Sequence, residues 1–163
     1  MSPTIEIIAI GTELLKGTIV NTNGREIAKA LAEKGFKCLR QTVLPDDNEL
    51  LVKGLREALE RSKIVIATGG LGPTCDDVTR QAAAEIFHSG FLLNEALADE
   101  LKQRYGSASA SIADQANVPA KAHILHNPIG TAPGLAFSEG GMTLVLMPGV
   151  PKEMRLMLHE QAL

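Results

Sequence analysis

Three short apolar runs, each ending in glycine, constrain this chain most: IEIIAIG at 5–11, KIVIATGG at 63–70 and MTLVLMPG at 142–149. They are nearly continuous in apolar character and lack the in–out alternation of a strand with one wet face. Strands of this kind are buried on both sides, as in parallel sheets covered by helices. A fourth run, FKCLRQTVL at 36–44, alternates more and predicts a strand nearer a sheet edge. Helical patterns fill the gaps. In 23–34, Ile27, Ala28, Leu31 and Ala32 share one face and Gly35 follows as a stop. In 48–61, Leu51, Val52, Leu55 and Leu59 do the same. Residues 78–87 and 94–104 are further helices, and 151–163 opens on Pro151, a good first-turn residue. The small, polar stretch 105–117 reads as a loop holding one helical turn, and 135–138 as a short strand.

Alternating strands and helices predict an α/β fold, a three-layer α/β/α sandwich with a mostly parallel sheet. No internal repeat and no Pro- or Ser-rich linker divides the chain, so 1–163 is expected to be a single domain. A composition of 45% apolar and 21% charged residues supports a real core. A net charge of −3 with no basic cluster argues against a nucleic-acid-binding surface. Aromatics at 3%, with no Trp, argue against a base-stacking platform of the single-strand-binding type. No apolar run is long enough to span a membrane, and the N-terminus lacks the basic region of a secretory signal. Cys38 and Cys75 have no CxxC spacing and are expected to be free thiols in the cytoplasm.

In open α/β sheets, ligands bind beyond the carboxyl ends of the strands. That rule gathers four loops on one rim: GTELLKG (11–17), LPDDN (44–48), GGLGPTCDD (69–77) and PGVPKE (148–153). Gly69, Gly70 and Gly72 bare the backbone and can form an anion-binding nest, with Thr74 adding a hydroxyl. The stretch is neither a Walker A loop nor a dinucleotide fingerprint. Asp76 and Asp77 follow it, and Asp46 and Asp47 sit in the neighbouring loop. One aspartate of each pair suffices to cap a helix, and Asp46 with Glu49 has the spacing of a capping box. The remaining carboxylates, with Glu13, concentrate negative charge that only a cation relieves. Hard oxygen ligands select Mg²⁺ or Mn²⁺. Glycine amides would then hold a phosphate while Asp46, Asp47, Asp76 and Asp77 hold the metal. HNPIGTAPG (126–134) supplies Asn127 and Thr131 as donors, and Gly11 and Gly149 place backbone at the rim. His123 and His126 are three apart in an extended segment and point to opposite faces, so they make a poor metal pair. Lys152, Glu153 and Arg155 read as a solvated helix start.

IGTELLKGTIVNTNGREIAKALAEKG, GGLGPTCDDVTR, NPIGTAPG and MPGVPKEM together resemble the N-terminal domain of the CinA (competence/damage-inducible) family. That domain is similar to the molybdopterin-binding MogA/MoaB and gephyrin E-type domains. The resemblance implies their three-layer fold. It implies that Gly69, Gly70, Gly72 and the Asp77-Val78-Thr79 element line a phosphate pocket, with the Asp46-Asp47 loop as the second acidic position. Cys75 departs from the proline or histidine usual there. The implied activity is hydrolysis of ADP-ribose to AMP and ribose 5-phosphate, dependent on Mg²⁺, Mn²⁺ or Co²⁺ and aided by K⁺. Full-length relatives often carry a C-terminal domain that deamidates nicotinamide mononucleotide, an activity not assigned to these residues.

The leading expectation is therefore a metal-dependent pyrophosphatase acting on a small nucleotide, with Asp46 and Asp77 catalytic. Glu13, the rim glycines, Thr74, Asn127 and Thr131 would bind ligand. Molybdopterin binding in cofactor biosynthesis uses the same pocket and is the second reading. The third is a non-catalytic assembly module: such folds pair subunits through apolar helix faces, and Met154 and Met157 offer one, so a homo-oligomer is expected.

Overall fold

A computed structural model describes residues 3–107 and 110–163; positions 108 and 109 of the predicted loop lie outside the described residues. The chain runs through β1 (Thr4–Ile10), α1 (Thr12–Leu15), α2 (Thr22–Glu33), β2 (Lys37–Leu44), α3 (Asn48–Ser62) and β3 (Ile64–Thr68). It continues through α4 (Thr79–Ile86), β4 (Phe91–Leu93), α5 (Glu95–Tyr105), α6 (Ala110–Asp114), β5 (Asn117–Pro119), β6 (His123–Leu125), β7 (Gly134–Glu139) and β8 (Met142–Met147). It closes with α7 (Pro151–Met157), which widens into a π-helical turn at Leu158–Ala162. No helix among the described residues is long and apolar enough to cross a membrane.

The main sheet has the order β2-β1-β3-β8-β7-β6. The first four strands are parallel, while β7 runs antiparallel to both β8 and β6. The sheet is thus mixed but mostly parallel, with β2 at the predicted edge. β4 and β5 form a separate antiparallel pair.

The central strands are buried on both faces because successive side chains enter different layers. Ile8 and Ile10 of β1 join Leu51, Leu55 and Leu59 of α3 and Leu101 of α5 on one side. Ile5 and Ile7 join Ile27 and Leu31 of α2 on the other. Met154 and Met157 of α7 belong to this second layer and are fully buried. This corrects the expectation that they offer a subunit-pairing face: the chain's own sheet already covers them. Helix starts are set by side chains that satisfy free backbone amides. Asn21 accepts from the Gly24 N–H, Asp47 from Leu50 and Asn94 from Leu97, each at 2.9 to 3.0 Å. The cap of α3 is therefore Asp47, not the Asp46–Glu49 capping box that the spacing predicts.

A carboxylate lies inside the core. Glu6 of β1 is 1% exposed. It sits at a bulge in the β1–β2 pairing, between Ile5 and Glu6. Arg61 donates to both of its oxygens, at 3.0 and 2.8 Å, and the Ser62 hydroxyl donates at 2.9 Å. The Arg61 hydrogen bonds hold the Glu6 carboxyl below the usual carboxylate range, against the upward push of burial. A carboxyl depressed in the folded state stabilises fully above its unfolded pKa, and that contribution is lost as pH falls through the folded value. Glu6→Gln is expected to cost about 1–3 kcal/mol at neutral pH. Urea denaturation at several pH values checks this: the gap between wild type and variant should narrow on acidification below about pH 4.

Candidate functional site

The order β2-β1-β3 creates a reversal in the winding. The chain leaves β1 outward to β2 through α2, then returns across to β3 through α3, and the two helices lie on opposite faces. A crevice must open where the loops after β1 and β3 diverge, at the carboxyl ends of both strands.

Glycines let those ends close up. Gly69 has φ 112°, and a Cβ there would lie 2.1 Å from the Ile10 carbonyl oxygen. A Cβ on Gly149 would lie 3.3 Å from the Gly69 Cα, so the turn after β8 packs on the same point. Thr79, buried at the start of α4, pins the loop: its hydroxyl donates to the Gly69 carbonyl at 2.9 Å and its N–H to the Gly70 carbonyl at 3.1 Å. The backbone N–H groups of Gly70, Leu71 and Gly72 donate to no acceptor among the described residues. They remain available to an anion.

Beside these amides is a cleft of about 540 Å³, lined from the loops after β1, β2, β3, β6 and β8. Its walls carry five carboxylates, Glu13, Asp46, Asp76, Asp77 and Glu153, and no Lys or Arg. Each is placed differently. Asp46 accepts from the Thr12 N–H at 2.9 Å while its own N–H donates to the Thr12 hydroxyl at 3.1 Å, which locks the first loop to the second. Asp77 Oδ2 accepts from both the N–H and the hydroxyl of Thr74. Asp46 and Asp77 thus each commit one oxygen within the chain, and the other meets no donor among the described residues. Glu13 accepts no hydrogen bond among the described residues, and Asp76 meets only the Cys75 thiol, at 3.9 Å.

The structure brings Glu13, Asp46, Asp76, Asp77, Gly69, Gly70, Gly72, Thr74, Thr131 and Gly149 to this one cleft. Asp47, Gly11 and Asn127 do not line it. Asp47 is the α3 cap, its carboxylate taken by the Leu50 N–H. Gly11 lies behind Glu13, where a Cβ would strike that carboxylate at 2.5 Å. Asn127 is buried and holds its loop together. Its oxygen accepts from the Ile129 and Gly130 N–H groups, and its amide donates to the Ala132 carbonyl and to Glu153, both at 2.8 Å. Among the described residues, no three His, Cys, Asp or Glu side chains are grouped so as to hold a metal ion by themselves. The aspartates share a cleft but do not form a ready-made metal cage.

Glu153 is the cleft residue that sequence reasoning left at a solvated helix start. An acidic residue just after Pro151 reads as a complement to the helix dipole; only its bond to Asn127, 26 residues away, reveals the cleft position. Arg155 of that trio pairs with Glu26 instead. A second clamp holds the same loop from outside: Arg104 of α5 donates to the carbonyls of Asn127 and Pro128 at 2.8 and 2.7 Å. His126 meets Glu100 at 2.7 Å. Burial pushes the Glu100 carboxyl up, but His126 and Arg104 together outweigh it and hold it below the usual range.

Comparison with known proteins places this geometry. The family model of the probable molybdopterin binding domain matches residues 6–163. A CinA-like protein of Kosmotoga olearia is 44% identical over 158 residues, covering 94% of this chain and 38% of that protein. One from Prochlorococcus marinus is 41% identical over 168 residues, covering 99% of this chain and 40% of its own. The chain therefore spans about two fifths of the length of these curated relatives. Among solved structures, a CinA protein of Thermoplasma acidophilum superposes with a TM-score of 0.92 at 36% identity, over 99% of this chain and 96% of that one. MoaB of Thermus thermophilus superposes with a TM-score of 0.65 at 22% identity, over 95% and 86%, and shares the fold.

Gly69→Ala is expected to cost at least about 2 kcal/mol, since it adds a backbone collision to a left-handed conformation. Gly90, exposed and with nothing within 4 Å of a Cβ, is the control. Gly90→Ala should change stability by less than about 0.5 kcal/mol in the same denaturation assay.

Proposed function

Since this chain belongs to the family of the probable molybdopterin binding domain and, within it, to the CinA-like proteins, we propose that its cleft hydrolyses the diphosphate bond of a nucleotide sugar with the help of a divalent cation. ADP-ribose is the first candidate, giving AMP and ribose 5-phosphate. The observation that carries the reading is the composition of the cleft: free glycine-loop amides beside five carboxylates and no basic side chain. Two like unit charges 4 Å apart repel by about 4 kcal/mol near a protein surface. A diphosphate cannot settle among such carboxylates unless a cation comes with it.

The donor set fits such an ion. Mg²⁺ keeps several waters and is commonly held by one or two carboxylates together with substrate phosphates, so a complete protein cage is not required. Asp46 and Asp77, each fixed through one oxygen and free at the other, are the residues that would hold it, with Asp76 and Glu13 nearby. When bound, the ion neutralises phosphoryl charge and lowers the pKa of a coordinated water. The chain's own groups do the rest. The N–H groups of Gly70, Leu71 and Gly72 receive phosphoryl oxygens whose charge grows as water adds to phosphorus. The P–O bond to the bridging oxygen breaks, and the leaving phosphate carries away the electron pair. The proton of the attacking water passes to a rim carboxylate; Asp46 and Asp77 remain the catalytic candidates, and Glu153, held by Asn127, adds a third acceptor.

Molybdopterin binding is the second reading, favoured by the family model itself. Calorimetric titration separates the two: a molybdopterin precursor that binds while ADP-ribose does not would replace the first reading with the second.

Purified chain incubated with ADP-ribose and Mg²⁺, Mn²⁺ or Co²⁺ is expected to release AMP, and chelation should abolish the release. Asp46→Asn and Asp77→Asn are each expected to lower kcat by about 10²- to 10⁴-fold. No AMP from folded protein with any of these metals would refute the hydrolase reading.

A further inference from the structure

Three cleft carboxylates, Asp46, Asp77 and Glu153, accept a hydrogen bond from a backbone or side-chain N–H of the chain. We propose that Glu153 is the one that takes the proton of the attacking water, and that Asn127 is the positioning residue that aims it; the assignment rests on the hydrolase reading above. In the step assigned to it, the water oxygen bonds to phosphorus and the water O–H bond breaks toward Glu153. The P–O bond to the bridging oxygen then breaks, and its electron pair leaves on the departing phosphate.

The other cleft carboxylates suit different work. Asp46 and Asp77 are the residues that would hold the cation. A carboxylate bound to a divalent ion is a poor proton acceptor, because the ion's charge stabilises the ionised form. Glu13 and Asp76 are exposed, and neither accepts from an N–H or O–H group among the described residues. A general base has to be fixed as well as basic, since a misplaced group forfeits the advantage of orientation. Glu153 is half-buried and held through one oxygen, yet has no part in holding the ion.

The loop before β7 is built around that carboxylate in two ways. Asn127 Nδ2 donates to Glu153 Oε2 at 2.8 Å. The same nitrogen donates to the Ala132 carbonyl, and Oδ1 accepts from the Ile129 and Gly130 N–H groups, so the amide has one orientation. Glu153 Oε1 meets no donor among the described residues and is the oxygen left to receive a proton. Gly130 is the second device. It is buried, and a Cβ there would collide with the Glu153 carboxylate. Its φ lies outside the left-handed region, so backbone conformation does not demand glycine; the room taken by Glu153 does. Arg104 pins the loop from outside through the carbonyls of Asn127 and Pro128. A first-turn glutamate that only complements the dipole of α7 works equally well from solvent. This one is drawn inward to a buried amide.

The test compares wild type, Glu153→Gln, Asn127→Ala and the double variant. It reads ADP-ribose turnover in Mg²⁺ and, by calorimetry, binding of a methylene-bridged ADP-ribose analogue in Mg²⁺. Glu153→Gln, close to isosteric, is expected to lower kcat by about 10²- to 10⁴-fold. It should leave KM and analogue binding within about twofold, as befits a group that acts only in the reaction step. Asn127→Ala is expected to lower kcat by about tenfold alone, and by less than about twofold when added to Glu153→Gln, because it acts through that carboxylate. Should Asn127→Ala not fold, Gly130→Ala displaces the same carboxylate with Asn127 in place and gives the same comparison. Weakened analogue binding in Glu153→Gln would make Glu153 a ligand of the ion and overturn its role as base. An equal loss from Asn127→Ala with and without the carboxylate would overturn the positioning role. Release of AMP by wild type and Glu153→Gln alike would sink the assignment and leave the hydrolase reading standing, whereas no AMP from wild type with any metal would end both.

Discussion

The close approach of three strand ends is the constraint on which the site depends. Gly69 has no room for a side chain because the carbonyl of Ile10 occupies that space, and Gly149 packs against Gly69 in turn. β1, β3 and β8 therefore finish at one point, and the loops that follow have to fan out from it. Thr79 fastens the glycine loop, and the Thr12–Asp46 exchange fastens the loop after β2 to the loop after β1. Residues more than a hundred positions apart in the chain line one cleft because the backbone beneath them cannot separate.

Charge is handled in opposite ways at the two ends of β1. Glu6, in the core, is fully partnered by Arg61 and Ser62, as a buried carboxylate must be. At the rim, Glu13 and Asp76 have no basic partner among the described residues, and Asp46 and Asp77 are half engaged. These carboxylates border the open cleft rather than the core. That leaves them ready for a cation arriving with its own ligands.

Much of this was legible in the sequence, and the rest was hidden for physical reasons. The strands at 5–11, 63–70 and 142–149 stand out because burial on both faces leaves a continuous apolar run. The edge position of β2 follows from its alternation. The three-residue strands β4, β5 and β6 are too short for any period to show, and nothing local announces that β7 turns the sheet antiparallel. Met154 and Met157 misled because an apolar stripe on a helix looks the same whether it meets the sheet or a second subunit. At the site, the glycines and the two aspartate pairs were visible from composition and spacing. Which of Asp46 and Asp47 faces the cleft was not, because the two differ only in which backbone amide they meet. Glu153 and Asn127 depend on a bond across 26 residues, and Asn127 proved to be an internal brace although its loop carries Thr131 to the cleft.

The most direct measurement is the binding of a non-hydrolysable diphosphate nucleotide with and without divalent cation. Binding in Mg²⁺ that disappears on chelation, at fixed ionic strength, is the result expected of an acidic cleft that accepts anions only through a metal. Undiminished binding in the chelated sample would contradict it, and would mean that backbone amides alone outweigh the carboxylates around them.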